Sequence, residues 1–217
     1  MNTQSGRSMV EMLGVLAIIG VLSVGAIAGY SKAMMKYKLN KQAEQLSTII
    51  NAVAIYGMQL KAPKIEHKQI DLLPTLNKLN YIPKEMLKAN DQKYAYDVFN
   101  TKIYPLSGYN SDWVSPNGHY TGIDIILDNG KSARDIQVCQ NILNTTKESH
   151  DFLWYIELTS VNGNGATIAA YDYFQGDKAC TSKCLKDLTV AKMNEFCSSI
   201  VGDANDGEHF AVRMWWR

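Results

Sequence analysis

The carboxylate of Glu11 stands at the head of a long apolar segment, where a charge is costly. The run from Met12 to Tyr30 contains no Asp, Glu, Lys or Arg and approaches the ~20 residues that a helix needs to cross a bilayer. Carrying an ionised acid into hydrocarbon costs roughly 2.5 to 3.5 kcal/mol on insertion scales, so an acid in such a segment usually marks function and implies a partner. We therefore expect Glu11 to pair with a positively charged group.

Cysteines form the second set of residues that could do chemistry. They are Cys139, Cys180, Cys184 and Cys197. Export across a membrane would place them in an oxidising compartment, where an even number predicts two disulfides in one of three pairings. The alternative is a zinc site, in which the last three thiolates are joined by His150 or His209 in a tetrahedron. Disulfides are preferred, because exported cysteines more often pair with one another than bind metal.

The remaining polar groups give little support to catalysis. The four histidines, His67, His119, His150 and His209, are scattered, without a nucleophile elbow, a phosphate loop or a metal-binding histidine pair. The segment from Asp203 to Glu208 offers oxygen ligands like those of a calcium loop, but its spacing misses the EF-hand pattern, so a solvated turn is preferred. We predict no enzymatic activity, no metal and no cofactor.

A long helix is expected to carry Glu11 and to continue beyond the apolar run. Residues 31–60 contain no proline, and apolar residues recur there at intervals of three and four positions, which is typical of an amphipathic helix. These residues are Leu46, Ile49, Ile50, Val53, Gly57 and Leu60. Pro63 is expected to end the helix, because proline lacks an amide donor and disfavours helical geometry in the preceding residue.

Two simpler interpretations of the apolar run are a secretory signal peptide and an ordinary membrane anchor. A signal peptide would have a basic amino-terminal region and an apolar stretch of only ~7 to 15 residues. An ordinary anchor would explain the hydrophobicity, but it would gain nothing from Glu11 or from the glycine that lies five positions before it.

Gly6, followed five positions later by Glu11 at the start of an apolar helix, resembles the class III signal of type IV pilin precursors and related pseudopilins. The resemblance covers roughly the first sixty residues in detail and the rest in architecture only. It implies that a prepilin peptidase cleaves between Gly6 and Arg7, so that residues 1–6 are a leader peptide, and that the new amino terminus of Arg7 is methylated. Ala28 stands where many type IVa pilins have a helix-kinking proline, which favours a type IVb-like subunit.

The same resemblance gives Glu11 a role. It implies that the carboxylate pairs with the amino terminus of a neighbouring subunit and thereby sets the register of assembly. It also implies a transmembrane and filament-core half of the helix over residues 7–30, and an amphipathic half with a globular head over residues 31–217. For the cysteines it suggests a bond that brackets the carboxy-terminal region, which favours Cys139 with Cys197 and leaves Cys180 with Cys184.

The head is expected to be a single α+β domain, in which an antiparallel sheet lies on the long helix. A short helix is predicted between Asp71 and Pro83, and a second one over residues 132–143. Strands are predicted over Tyr120–Leu127, Phe152–Leu158, Ala166–Tyr173 and Phe210–Trp216. The glycine-rich segment from Val161 to Gly165 predicts a hairpin between the second and third of these strands.

An aromatic-rich region, expected to be a loop, follows the short helix. It contains Tyr94, Tyr96, Tyr104, Tyr109 and Trp113. Packing in the core and against the sheet is the preferred interpretation, since aromatic residues favour such sites, and an adhesive surface is the alternative.

We interpret the sequence as a structural subunit of a type IV pilus-like filament. Its expected partners are copies of itself, other pilins, the prepilin peptidase, the inner-membrane assembly platform and the membrane. It is expected in the inner membrane before assembly and outside the cell afterwards. The net charge of +1, with both signs mixed along the chain, predicts no nucleic-acid groove. A type II secretion pseudopilin and a membrane-anchored enzyme or receptor that never polymerises remain as alternatives.

Overall fold

The computed structural model describes residues 9–57, 59–111, 118–127, 132–162, 167–203 and 208–216. The chain divides into two units, residues 1–40 and residues 41–217. Helix α1, Met9–Ala52, contributes to both of them. The α+β class predicted from the sequence is correct: a long amino-terminal helix and an antiparallel sheet form an arrangement consistent with a pilin-like fold.

The predicted end of the long helix is too late by several residues. Regular α-helix ends at Ala52 and continues as one wider π-helical turn, Val53–Gly57. At Gly57 a Cβ atom would lie 2.4 Å from Cγ2 of Thr121, so the backbone lies directly against the sheet. This close approach, rather than Pro63, marks where the chain leaves the helical path.

In the second unit, the apolar stripe of α1 is buried as its spacing predicts. Leu46, Ile49, Ile50 and Val53 are almost fully buried, while Leu60 lies past the helix and is partly exposed. Thr48 and Asn51 face outward between them. The alternation of burial every three to four residues is that of an amphipathic helix against a core.

Within the described residues, seven strands form one antiparallel sheet. The strands are β1 Gln69–Asp71, β2 Ala95–Tyr96, β3 Lys102–Tyr109, β4 His119–Leu127, β5 Tyr155–Asn162, β6 Thr167–Gln175 and β7 Glu208–Trp216. Their order is β1-β3-β4-β7-β5-β6, and β2 also pairs with β3. The predicted β5–β6 hairpin is present, although the turn at residues 163–166 lies outside the described residues. Strand β3 replaces much of the loop predicted for the aromatic-rich region.

Three further α-helices accompany the sheet among the described residues. They are α2 Leu73–Lys78, α3 Ala133–Lys147 and α4 Val190–Asp203. Helix α3 begins with a capping box, in which the Ser132 hydroxyl accepts from the Asp135 amide and the Asp135 carboxylate accepts from the Ser132 amide. Helix α2 falls inside the segment predicted to be helical, whereas α4 was missed by the sequence analysis.

The helices cover one face of the sheet, here called the helix-covered face. Thr146 of α3 lies 3.6 Å from the sulfur of Met214, and the ring of Phe196 in α4 lies 5.9 Å from that of Phe210. Thr121, which meets Gly57, points to the same side. Because side chains alternate along a strand, the intervening residues of β4 and β7 point to the opposite face.

A buried polar network ties α1 to the rest of the head. Gln42 donates from Nε2 to Oδ2 of Asp97 at 2.5 Å, and its Oε1 accepts from Nδ2 of Asn141 in α3 at 2.9 Å. Oδ1 of Asp97 accepts from the backbone amides of Phe99 and Thr101, both at 2.8 Å. Burial raises the pKa of Asp97, and these donors act against that rise. The network fixes the rotation of α1 against the loop that follows β2.

We predict that Gln42→Ala lowers the free energy of unfolding by about 1 to 3 kcal/mol, because it leaves buried oxygens of Asp97 short of a donor. Urea unfolding of the full chain in a non-ionic detergent, followed by tryptophan fluorescence, measures the loss. Gln59→Ala is the matched control, since Gln59 is exposed and donates to a carbonyl one turn away, Ile55. Equal losses in the two variants would contradict the assigned role of the network.

Candidate functional site

The amino-terminal unit presents an apolar helical surface. Side chains from Met9 to Tyr30 are exposed throughout, and Val21, Leu22 and Val24 are representative. Among the described residues, Met9–Gly57 is the one helix long and apolar enough to cross a membrane, and its most apolar stretch has a mean hydropathy of 2.4 with 0% of it buried. By length and composition this helix can serve as a membrane anchor.

Glu11 lies in the first turn of α1, where the helix dipole favours a negative charge. Its side chain is exposed in this unit. Gly6 and Arg7, the predicted cleavage and methylation positions, lie outside the described residues. The cleavage, the methylation and the register role of Glu11 therefore stay predictions.

Three glycines share the helical face of Glu11. At about 100° per residue, Gly14, Gly25 and Gly29 lie within about 60° of Glu11 around the axis, whereas Gly20 lies on the opposite side. A Cβ at any of the four positions would have no atom within 4 Å. The face that carries the carboxylate is thus also the face on which another helix can approach α1 closely.

The structure contains two disulfides, Cys139–Cys197 and Cys180–Cys184, the pairing that the family resemblance implied. Cys139 and Cys197 are fully buried and join α3 to α4. The second bond closes a short surface loop with a sequence separation of 4. The alternative zinc site is wrong, because sulfurs bonded to each other cannot act as thiolate ligands.

The other candidate ligands do not converge. His150 contacts Asp177, with 3.0 Å between Nδ1 and Oδ2, and His119 packs edge-on against Tyr109. Within the part of the chain that the structure describes, no group of three His, Cys, Asp or Glu residues is placed to hold a metal. For the calcium-loop alternative, Asp203 ends α4, and residues 204–207 lie outside the described residues.

Sequence reasoning missed a row of charged side chains on the sheet. Arg213 in β7 stands in register with Asp124 in β4 on one side and with Glu157 in β5 on the other. Its Nε lies 3.3 Å from Oδ1 of Asp124, and each of these two side chains is only 12% exposed. Arg213 also donates from Nη1 to Oγ1 of Thr167. The sequence did contain a signal for this row, because each of its three residues is a single charged residue between apolar neighbours in a strand.

The row lies among large rings, on what is here called the aromatic face, opposite the helix-covered face. Leu106, Tyr120 and Trp215 form a buried cluster there, against which other rings pack. The ring of Trp215 covers Gly122, where a Cβ atom would lie 2.6 Å from it. Tyr94 and Tyr104 meet edge to face on the same side, and Trp113 lies outside the described residues. Tyr94 and Tyr104 therefore pack against the sheet, as the preferred interpretation of the aromatic-rich region predicted.

Burial controls the charges of the row. It raises the pKa of Asp124 to about 6, although the guanidinium of Arg213 acts in the opposite direction. Burial also raises the pKa of Glu157, again against the pull of Arg213. Two carboxylates thus share one guanidinium, and the three groups together carry one excess negative charge when both acids are ionised.

No family model, no curated protein and no solved structure matches this chain. Its function is therefore argued from its own residues.

We predict that the two disulfides contribute unequally to stability. In the chain-entropy model, the bond with a separation of 58 contributes about 4 kcal/mol and the short one about 2 kcal/mol. Cys139→Ala/Cys197→Ala should therefore lower the free energy of unfolding more than Cys180→Ala/Cys184→Ala. Urea unfolding of both double variants in detergent measures the difference. A larger loss in the short-loop variant would refute this ranking.

We also predict that Asp124 contributes more to the stability of the head near pH 5 than at pH 7. Because its folded-state pKa is raised above 3.8, the folded state binds the extra proton. This stability is present below about pH 4 and is lost as the pH rises through about 6, with a magnitude on the order of 3 kcal/mol.

Asp124→Asn should remove this contribution, whatever its effect on stability at one pH. Unfolding free energies of the full chain, measured at several values between about pH 4 and about pH 6, give the slope of stability against pH. The exposed substitution Asp151→Asn is the control. The assignment to Asp124 fails if both variants keep the full slope of the wild type.

Proposed function

We propose that the chain is a structural, non-enzymatic subunit of a type IV pilus-like filament, assembled through its amino-terminal helix. The observation that supports this best is the exposed apolar surface of α1 with one carboxylate in its first turn. An apolar surface of this length needs lipid or protein around it. In such surroundings an ionised carboxylate is most stable beside a cation.

A neighbouring copy of the chain meets both needs. Cleavage after Gly6 would create an α-amino cation at Arg7, four residues before Glu11. That cation on one subunit can neutralise Glu11 of the next, and the face of Gly14, Gly25 and Gly29 lets the two helices approach closely. The ion pair joins two fixed points on the neighbouring helices, so it favours one axial offset and thereby selects the register.

The proposed life history follows from this pairing. The helix holds the precursor in the inner membrane, a prepilin peptidase removes residues 1–6, and the assembly platform moves the subunit into an extracellular filament with its own copies and other pilins. The head, tied together by two disulfides, would form the outside of the filament. Disulfides suit this compartment, because they persist where the surroundings are oxidising.

We predict that a prepilin peptidase co-expressed with the chain removes residues 1–6 and that Gly6→Val blocks this step. Glu11→Gln should be processed normally but reach the sheared surface fraction at least about tenfold less, because the α-amino cation of Arg7 then lies in the filament without its counter-charge. Intact mass and quantitative blots of the fractions measure both effects. Glu11→Asp, which keeps the charge, is the matched control.

The outcomes separate the alternatives. A wild-type chain that keeps residues 1–6 and stays in the membrane would indicate an anchored protein that never polymerises. Processing with normal assembly of Glu11→Gln would overturn the register role. A short, periplasm-spanning filament whose subunit melts at a higher temperature with calcium would indicate a secretion pseudopilin.

A further inference from the structure

A pocket of about 270 Å³ lies at the β6 edge of the aromatic face. It is lined by Trp154, Tyr155, Glu157, Tyr173 and Gln175, and is here called the aromatic pocket. Ligand pockets for drug-sized molecules measure about 300 to 1,000 Å³. The aromatic pocket therefore suits a single small group rather than a whole cofactor.

The pocket is built on two alternate residue pairs of the β5–β6 ladder, with the pair Ile156↔Phe174 between them. Tyr155 stands opposite Gln175, and Glu157 stands opposite Tyr173. Alternation along the strands places all four side chains on the same face. One wall is thus aromatic and acidic by the geometry of the sheet alone.

Trp154 supplies a second wall at a right angle to the first. Its ring and that of Tyr155 have centroids 4.9 Å apart and planes at 77°. The backbone amide of Trp154 donates to the carbonyl of Trp215, and its carbonyl accepts from the amide of Gly176. Main-chain bonds on both sides therefore hold the backbone of Trp154 in place, and its ring packs against that of Tyr155.

The side chain of Gln175 is also held in place, in this case by a loop that does not line the pocket. Its Oε1 accepts from the backbone amide of Thr181 at 2.9 Å and from that of Ser182 at 3.3 Å, both within the loop closed by the Cys180–Cys184 disulfide. The short disulfide loop thus orients one wall of the pocket. A preorganised pocket binds more tightly, because less freedom is lost on binding.

Charge indicates which ligand fits. Glu157 is the acid that lines the pocket, and it belongs to the charged row whose single guanidinium, Arg213, lies against Asp124. The row carries an excess negative charge, and a ligand cation beside Glu157 would offset it. One ring of the pocket already has a cation of the protein beside it. The ammonium of Lys183, which is ion-paired with Asp172, lies 5.2 Å from the centroid of the Tyr173 ring.

We propose that the aromatic pocket binds a quaternary ammonium group. The rings of Trp154, Tyr155 and Tyr173 line the pocket, the negative face of an aromatic ring attracts a cation, and aromatic sites of this kind recognise quaternary ammonium groups. The carboxylate of Glu157 supplies the counter-charge at short range. The inference concerns the head alone and does not depend on filament assembly.

Calorimetric titration of the full chain, in a maltoside detergent that carries no ammonium group, tests the proposal with choline. We expect saturable binding of choline and at least about tenfold weaker binding of its uncharged carbon isostere, dimethylbutanol. Phosphocholine distinguishes the source: equal or tighter binding indicates a lipid or glycan headgroup, and weaker binding indicates a free small molecule. Equal binding of choline and the isostere, or no binding of choline, would overturn the proposal.

Variants locate the site. Glu157→Gln should weaken choline binding about tenfold, and Trp154→Phe should weaken it less, since a smaller ring keeps part of the wall. Glu195→Gln, at an exposed position on α4, is the matched control and should bind like the wild type. If Glu157→Gln also binds like the wild type, the pocket is not the site.

Discussion

The head depends on the pairing of β7 with two strands at once. Strand β7 lies between β4 and β5, pairing with β4 from Thr121↔Trp216 to Leu127↔Phe210 and with β5 from Tyr155↔Trp215 to Asn162↔Glu208. Without β7, strands β1 to β4 and the β5–β6 hairpin would be separate units, and an isolated hairpin is marginally stable in water. One strand therefore joins the two groups into one sheet.

This central position also divides the chemistry between the two faces. Val212 and Met214 of β7 point into the core beneath the helices, so Arg213 must point to the aromatic face. A shift of one residue would exchange the sides and bury a guanidinium among α3 and α4. The register of β7 is thus fixed by hydrophobic burial on one side and by the Asp124 ion pair on the other.

Much of this was predictable, and the exceptions have physical reasons. The apolar stripe from Leu46 to Val53 and the strands around Ile123 and Val212 follow from periodicity alone. Strand β3 was hidden by Pro105, which the sheet tolerates because it lies between the stretches of β3 that pair with β1 and with β2. The burial of Gln42 depends on the tertiary placement of Asp97, which periodicity along the chain does not give. The aromatic pocket needs the β5–β6 register, which a sequence does not specify.

The two units place different demands on their surroundings. The head satisfies its buried carboxylates internally, since Asp97 has Gln42 and two backbone amides and Asp124 has Arg213. The segment from Met9 to Tyr30 has no such core, and its apolar side chains are exposed. Lipid or other apolar helices can cover those side chains. An ionised carboxylate such as that of Glu11 costs a few kcal/mol in hydrocarbon, so this end of the helix, unlike the head, depends on the chemistry of what surrounds it.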